Sequence, residues 1–156
     1  MQHPLAEYVL RRQAFIPAAL DEVFQFFADA RNLEQITPAW LHFRVLTPDP
    51  IEMRAGTQIR YRLQIAGVPV RWDTRIASWE PGKSFVDRQE RGPYSLWVHT
   101  HTFEPIADGV LMEDVVRYAL PFGPLGRLAH ALWVRGALAQ IFDYRFERIR
   151  EAFGAG

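Results

Sequence analysis

The sequence predicts an α+β fold, in which a curved, seven-stranded antiparallel sheet wraps around a long C-terminal helix and two short helices follow the first strand. Two patterns lead to this fold class. Residues 43–120 alternate apolar and polar side chains between evenly spaced Pro and Gly residues, which is typical of successive short strands. Residues 125–153 repeat apolar side chains every three or four positions, which indicates a helix.

The N-terminal part predicts a strand followed by two helices. Residues 8–16 read as a strand that Pro17 ends. Residues 20–27 then place apolar side chains on one helical face, with acidic residues in the first turn, where the helix dipole favours them. A second short helix is expected over residues 31–36 and stops before Pro38.

The middle of the chain predicts an antiparallel meander. Short turns that contain Gly or Pro join runs of alternating apolar and polar residues, as in hairpins that follow one another. A sheet of this length twists and curls, and only the last helix is long enough to cover its concave face. The expected strands after residue 43 include residues 59–65, 70–79, 84–91, 95–104 and 110–120.

The last helix is expected to begin at Pro124 and to span roughly 40 Å at 1.5 Å per residue. Its second half carries a polar face on which Arg145 is placed. Its first half is apolar almost all round, so either the Trp40 region covers its side chains or some of them meet a partner subunit, an entry loop or a membrane surface. The residues concerned are Phe122, Leu125, Trp133 and Val134. His130 lies on this helix away from the main apolar stripe and is expected at the surface. The stripe expected to face the sheet comprises Leu125, Leu128, Leu132, Gly136, Ala139, Phe142, Phe146, Ile149 and Phe153.

Composition excludes several classes of function. Eighteen basic and eighteen acidic residues give a net charge of zero, which argues against nucleic-acid binding. The absence of cysteine excludes disulfides and thiolate chemistry. No apolar run approaches the roughly 20 residues of a membrane span, and the N-terminus does not read as a signal peptide. We therefore expect a single cytoplasmic domain over residues 1–156.

Three segments resemble the START / polyketide-cyclase (SRPBCC) superfamily. Residues 15–24, with Pro17 after an apolar strand and the pair Val23-Phe24 on the first helix, look like the opening of its members. Residues 91–103 and 118–126 are similar to one bacterial branch of small ligand-binding SRPBCC proteins. The resemblance covers nearly the whole chain. It implies the helix-grip fold and an internal pocket for an apolar ligand, but it implies no reaction, because the superfamily includes lipid carriers, hormone binders and cyclases.

One group of polar residues stands out on the predicted sheet. His99 and His101 share a strand face, since side chains of a strand alternate between its two sides. If Ala107-Asp108 is a two-residue turn, His101 lies opposite Asp114 and Trp97 opposite Tyr118. If residues 92–94 are a three-residue turn, Asp87 lies opposite His99 and Gln89 opposite Trp97. Opposed side chains have Cβ atoms about 5 Å apart, so two histidine–carboxylate pairs would form side by side.

Four interpretations of these pairs remain open. The pairs can satisfy each other's hydrogen bonds in an apolar interior. They can orient a ligand, since a small-molecule site is usually an apolar pocket with a few polar groups. They can serve as catalytic acid and base, with Asp87 or Asp114 orienting a histidine. They can bind a metal, but the spacing fixes no clear third ligand, so we expect no metal and no cofactor.

The sequence thus favours non-catalytic binding or transport of a hydrophobic small molecule, such as a lipid or an aromatic or polyketide-like compound. A cyclase/dehydrase-like or hydrolase-like enzyme that uses His99, His101, Asp87 and Asp114 is the alternative. The expected ligand-contacting residues lie on the strands, on the last helix and after Pro38. They are Trp40, Phe43, Tyr61, Leu63, Trp72, Thr74, Ile76, Asp87, Gln89, Trp97, His99, His101, Phe103, Asp114, Tyr118, Phe142 and Phe146.

Overall fold

The computed structural model describes residues 5–154 and confirms the α+β helix-grip fold. Seven antiparallel strands form one sheet in the order β1-β7-β6-β5-β4-β3-β2. The strands are β1 (Tyr8–Ile16), β2 (Arg44–Val45), β3 (Gln58–Ile65), β4 (Val68–Glu80), β5 (Ser84–Arg91), β6 (Leu96–Ile106) and β7 (Gly109–Ala119). The helices are α1 (Leu20–Ala28), α2 (Asn32–Gln35), a 3₁₀ turn (Ala39–Leu41), α3 (Gly123–Ala129), a π turn (His130–Val134) and α4 (Arg135–Ala152).

The first helix closes one end of the sheet. Val23, Phe24 and Phe27 form its buried face, as the apolar spacing predicts. The ring of Phe24 packs against Phe85 of β5 and Phe103 of β6, with centroids 6.3 Å and 5.3 Å away. This end of the molecule is therefore filled by aromatic side chains, and any open space lies elsewhere along the sheet.

The hairpin between β6 and β7 has the predicted register. Ile106 pairs with Gly109 across a two-residue turn, so His101 lies opposite Asp114. The same count places Trp97 opposite Tyr118. A two-residue hairpin turn fixes the register of the strands that it joins, and every later pair follows from it.

The hairpin between β5 and β6 has the predicted register over only part of its length. Asp87 pairs with His99 as expected, but the pairing ends at Arg88 and Val98. Gln89 is therefore not paired with Trp97. Its side-chain amide instead donates to the Tyr94 carbonyl oxygen at 2.8 Å and accepts from the Tyr94 N–H at 3.1 Å. The expected strand pair is wrong here because this side chain binds the turn.

A π turn changes the face that the C-terminal helix presents to the sheet. The N–H of Arg135 donates to the His130 carbonyl, five residues earlier, so one more residue is accommodated in this turn. The predicted apolar stripe is wrong before Phe142 for this reason. The positions Gly126, His130, Val134 and Leu138 are buried in its place. The stripe residues Leu125, Leu128, Leu132 and Gly136 are exposed.

Two predictions for the start of this helix are corrected. His130 is expected near the surface from its place beside the stripe, but it is buried and stacks on the Tyr8 ring with centroids 3.5 Å apart. Val134, expected among the outward-facing apolar residues, is also buried. Gly126 is held close to the chain before it, since a Cβ at this position would lie 2.1 Å from the Pro121 carbonyl oxygen. Only glycine fits this approach without displacing the backbone.

None of the described helices is long and apolar enough to cross a membrane.

Candidate functional site

A cavity of about 300 Å³ lies between the concave face of the sheet and the C-terminal helix. One wall comes from β3 to β6, and the opposite wall comes from the π turn and α4. The segment that contains α2 and the 3₁₀ turn contributes the rim. Trp40 and Trp133 both line the cavity and are each 49% exposed, so the mouth lies between the 3₁₀ turn and the π turn.

Many of the residues expected to contact a ligand lie in the wall of this cavity. They come from strand faces and from the helix, and most of them are aromatic. Trp97 is in edge contact with Trp72 at 5.1 Å and packs on Tyr94 at 4.8 Å, while Tyr61 packs on Phe43 at 4.9 Å. The predicted residues in the wall are Trp40, Phe43, Tyr61, Leu63, Trp72, Asp87, Trp97, His99, His101 and Phe142.

Other expected contacts do not reach the cavity wall. Thr74 donates its hydroxyl hydrogen to the Arg88 carbonyl at 3.0 Å, and Ile76 packs in a second small core beneath β3 and β4. Tyr118 bonds to His130, while Asp114 lies behind the two histidines. The predicted residues outside the wall are Thr74, Ile76, Gln89, Phe103, Asp114, Tyr118 and Phe146.

The charged and imidazole side chains of the cavity wall form one compact cluster. The rings of His99 and His101 stack with centroids 3.6 Å apart. On one side, Asp87 Oδ2 lies 2.7 Å from His101 Nε2 and 3.7 Å from His99 Nδ1. On the other side, Asp114 Oδ1 lies 3.1 Å from His101 Nδ1 and 3.2 Å from His99 Nε2. The two imidazoles therefore stand between two carboxylates.

Asp114 forms an ion pair with Arg145, which the sequence pattern places on the exposed face of the helix. Arg145 is expected on the polar face of the last helix, yet its side chain is only 8% exposed. Its Nε donates to Asp114 Oδ2 at 2.9 Å, and its Nη2 lies 3.3 Å from His101 Nδ1. The spacing does contain a signal, because Arg145 follows Phe142 by three positions and precedes Ile149 by four, which places it on the buried face.

These contacts determine the direction of each pKa shift. Burial raises the pKa of Asp114, but Arg145 and the two histidines outweigh this effect and hold it well below its ordinary range. Burial also raises the pKa of Asp87, but His99 and His101 lower it by more, so the net shift is downward. Burial and the neighbouring His101 lower the pKa of His99. The pKa of His101 is raised, since its contacts with Asp114 and Asp87 outweigh its burial. The surroundings therefore favour the charged form of both carboxylates and of His101, and disfavour the charged form of His99.

The contacts of Asp114 Oδ1 with the two imidazoles do not meet hydrogen-bond geometry. This oxygen lies 3.2 Å from His99 Nε2 and 3.1 Å from His101 Nδ1, yet among the described residues it has no hydrogen-bond partner. His99 Nε2 is likewise a buried atom without a partner. The separations are short enough for hydrogen bonds, so the orientation of the groups is what prevents them.

Several cavity residues are not among the expected contacts. They come from α2 and the loop after it, the turn before β6, the end of β7 and the inward face of the helix. The π turn explains the helical ones, since it selects Val134 and Leu138 for the inner face. The residues missed in this way are Leu33, Ile36, Thr37, Leu41, Ile65, Pro93, Tyr94, Leu120, Trp133, Val134, Ala137, Leu138, Ile141 and Arg145.

The helix-grip sheet, closed by a C-terminal helix over a largely apolar cavity, defines an SRPBCC-type, START-like ligand-binding fold. Solved structures share it over nearly their whole length. The protein TTHA0849 from Thermus thermophilus matches with a TM-score of 0.74 and 19% identity, covering 95% of this chain and 98% of its own. A START superfamily protein from Mycobacterium smegmatis matches with a TM-score of 0.70 and 10% identity, covering 94% of this chain and 97% of its own.

The chain belongs to the family described as polyketide cyclase / dehydrase and lipid transport, whose model matches residues 9–154. A comparison with curated proteins finds no significant match. At identities this low, the solved structures establish the fold alone.

Proposed function

We propose that this protein binds or carries a hydrophobic small molecule in the internal cavity without transforming it. The observation that carries the proposal is the cavity itself, about 300 Å³ in volume, with walls that are mostly aromatic and aliphatic. Its charged and imidazole groups are gathered in one cluster. An apolar pocket with a few converging polar groups is the usual form of a small-molecule site.

The wall chemistry narrows the class of ligand. The cavity is at the lower end of the volumes that accommodate drug-sized molecules. Trp72, Trp97 and Tyr94 contact one another and offer flat apolar faces. Each carboxylate of the polar cluster already has a partner inside it, because Asp114 pairs with Arg145 and Asp87 lies 2.7 Å from His101 Nε2. A compact lipid, aromatic or polyketide-like molecule with a neutral oxygen at one end fits this description best.

The experiment uses protein purified without detergent and examined by native mass spectrometry, followed by titration with an apolar fluorescent probe. We expect a co-purified small molecule or saturable probe binding at one site. Ala137→Phe places a ring in the cavity wall and should abolish binding. Ala152→Phe adds the same ring at an exposed position near the end of α4 and should leave binding unchanged. Neither ligand nor probe binding in the parent would overturn the proposal.

A second candidate function is acid–base catalysis by the same cluster, in a cyclase/dehydrase-like or hydrolase-like reaction. The specific observation in its favour is that His101 stands between Asp87 and Asp114 and also lines the cavity. An imidazole oriented by a carboxylate is a common general base. Turnover of polyketide-like or ester substrates would be compared in the parent, His101→Ala and Asp114→Asn. Equal rates in all three would rule this function out.

We also propose that the mouth of the cavity meets an anionic lipid surface during ligand exchange. Phe122, Leu125 and Leu132 are 81%, 72% and 77% exposed beside the half-exposed Trp133. Residues 115–142 contain no acidic residue, whereas Arg127 and Arg135 are interspersed among these side chains. Apolar side chains next to basic ones favour binding to anionic membranes.

Vesicle flotation tests this contact. We expect the parent to float with vesicles that contain phosphatidylserine and to remain below with neutral ones. The double variant Leu125→Ser/Leu132→Ser should stay in solution. Ile106→Ser removes an exposed apolar side chain from the β6–β7 hairpin, at the opposite end of β7 from Phe122, and should float like the parent. If the parent does not float with either kind of vesicle, or if it forms a dimer through this face, the proposed lipid contact is contradicted.

A further inference from the structure

Three donor groups converge in the wall of the cavity in a pattern that suits a metal ion. One donor atom from each of Asp87, His99 and His101 lies within 4.8 Å of the other two. All three residues face the cavity. The sequence alone predicts no metal, because its spacing fixes no third ligand. The antiparallel pairing of β5 and β6 supplies that ligand by placing Asp87 opposite His99.

We propose that Asp87, His99 and His101 bind a divalent transition-metal ion of the Zn²⁺ type, with its open coordination positions toward the cavity. This site goes beyond the proposed ligand binding and does not depend on it. Two imidazole nitrogens and one carboxylate oxygen form a donor set that Zn²⁺ accepts with a fourth position free. Mg²⁺ and Ca²⁺ prefer shells made of oxygen, so the set selects against both.

The distances suit a shared ion. Ligand atoms on one tetrahedral Zn²⁺ lie roughly 3.4 Å apart when each bond is about 2.1 Å. Asp87 Oδ2 lies 2.7 Å from His101 Nε2 and 3.7 Å from His99 Nδ1, which brackets this value. Both histidines are on one strand and two positions apart, so the backbone of β6 fixes their spacing.

The far side of each histidine supports the same interpretation. His99 Nε2 and His101 Nδ1, the nitrogens turned away from Asp87, both face Asp114 Oδ1, at 3.2 Å and 3.1 Å. A histidine that ligates a metal usually gives its other N–H to a carboxylate, which fixes the ring and its tautomer. Here one buried carboxylate, held in place by Arg145, stands behind both rings.

A further observation concerns His99. Its side chain is only 7% exposed, and its Nε2 has no hydrogen-bond partner among the described residues. A buried polar atom without a partner is unfavourable. Coordination through Nδ1 would hold the ring in place, and a small rotation would direct Nε2–H at Asp114.

The test is isothermal titration calorimetry of tag-free protein, first stripped with EDTA, using ZnCl₂ alone and MgCl₂ alone. We expect one Zn²⁺ per chain and no Mg²⁺. His99→Gln, His101→Gln and Asp87→Asn should each abolish Zn²⁺ binding, with folding checked by circular dichroism. His42→Gln removes an exposed histidine outside the cluster and should bind like the parent.

A second measurement covers the case in which a cluster variant does not fold. Crystals of the parent soaked in zinc and measured on both sides of the zinc absorption edge should show one anomalous peak between the three side chains. Absence of Zn²⁺ binding by the parent, or Zn²⁺ binding that survives in all three folded variants, would overturn the site. Probe binding by the EDTA-treated parent tests the proposed function separately, so the two can fail independently.

Discussion

The hydroxyl oxygen of Tyr118 lies 2.7 Å from His130 Nε2 and thereby joins the end of β7 to the π turn of the C-terminal helix. Tyr8 of β1 covers the same imidazole from the other side. Three elements thus meet at one histidine. A neutral imidazole can accept the tyrosine hydrogen at Nε2 whereas a protonated one cannot, so this contact depends on pH.

The first prediction follows from that histidine. Burial and the nearby charge of Arg135 lower the pKa of His130 below its ordinary value of 6.5. A base whose pKa is lowered by folding binds fewer protons in the folded state, so its contribution is complete above about 6.5 and is lost as the pH falls through the lowered pKa. Tm values measured between pH 8 and pH 5 should fall further for the parent than for His130→Gln.

Glutamine keeps a hydrogen-bond acceptor near the position of Nε2 but does not titrate. Comparing the two proteins at each pH therefore removes the contribution of all other titrating groups. Parallel Tm curves over this range would mean that His130 plays no part in the pH dependence.

The second prediction concerns the buried ion pair of Arg145 and Asp114. Arg145→Met should lower the free energy of unfolding by about 3–5 kcal/mol, because it removes one partner of a buried ion pair and leaves Asp114 with the two imidazoles alone. Adding Asp114→Asn to that variant should recover part of the loss, since the uncompensated charge is removed. Urea unfolding would measure all three proteins.

A surface ion pair that joins β1 to α4 is the matched control for this experiment. Arg12 Nε lies 3.0 Å from Asp143 Oδ1, but both side chains are substantially exposed. Arg12→Ala should lower the free energy of unfolding by no more than about 1 kcal/mol. Similar losses for the two arginine variants would contradict the buried placement of Arg145.

The third prediction tests the register of the helix after the π turn. Val134→Ala should cost about 2 kcal/mol of stability, since it removes two buried methyl groups. Leu132→Ala should change stability by no more than about 0.5 kcal/mol, because this larger side chain is exposed. Chemical denaturation distinguishes the two. A larger loss of stability for Leu132→Ala than for Val134→Ala would instead support the apolar stripe that the spacing alone predicts.

The fourth prediction compares two glycines of the same C-terminal segment. A Cβ at Gly126 would lie 2.1 Å from a backbone oxygen, so Gly126→Ala should destabilise by more than about 1 kcal/mol. At Gly136 nothing lies within 4 Å of the added carbon. Gly136→Ala should therefore stabilise the helix by about 0.5–1 kcal/mol. Thermal unfolding of both variants checks the signs, and equal effects would show that the α3 packing is wrong.

The arrangement of strands could be predicted from the sequence because short turns fix register. Residues 107 and 108 leave room for one hairpin register, and the pairing of His101 with Asp114 follows from it. The turn before β6 does not fix the whole register in the same way. The Gln89 side chain binds the backbone of Tyr94, and the pairing of β5 with β6 ends at Arg88 and Val98. Strand pairing is thus predictable where the turn alone decides it.

The face of the C-terminal helix could not be predicted in the same way. A π turn carries no clear mark in composition, yet it shifts every inward position on its N-terminal side. His130 and Arg145 were misplaced for a related reason, since polar residues on a helix are normally exposed. Both are buried because partners on β7, Tyr118 and Asp114, satisfy them. Such partners come from tertiary structure, which periodicity does not describe.

The placement of tryptophan gives the molecule a built-in optical signal. Of its five indoles, those of Trp40, Trp72, Trp97 and Trp133 line the cavity, whereas Trp79 packs against Phe24 and Phe85. Intrinsic emission should therefore shift in wavelength and intensity when the cavity fills. Two of the four cavity indoles, those of Trp40 and Trp133, are half-exposed at the mouth. Quenching of their fluorescence by a water-soluble agent would therefore distinguish a ligand bound at the mouth from a ligand bound deep in the cavity.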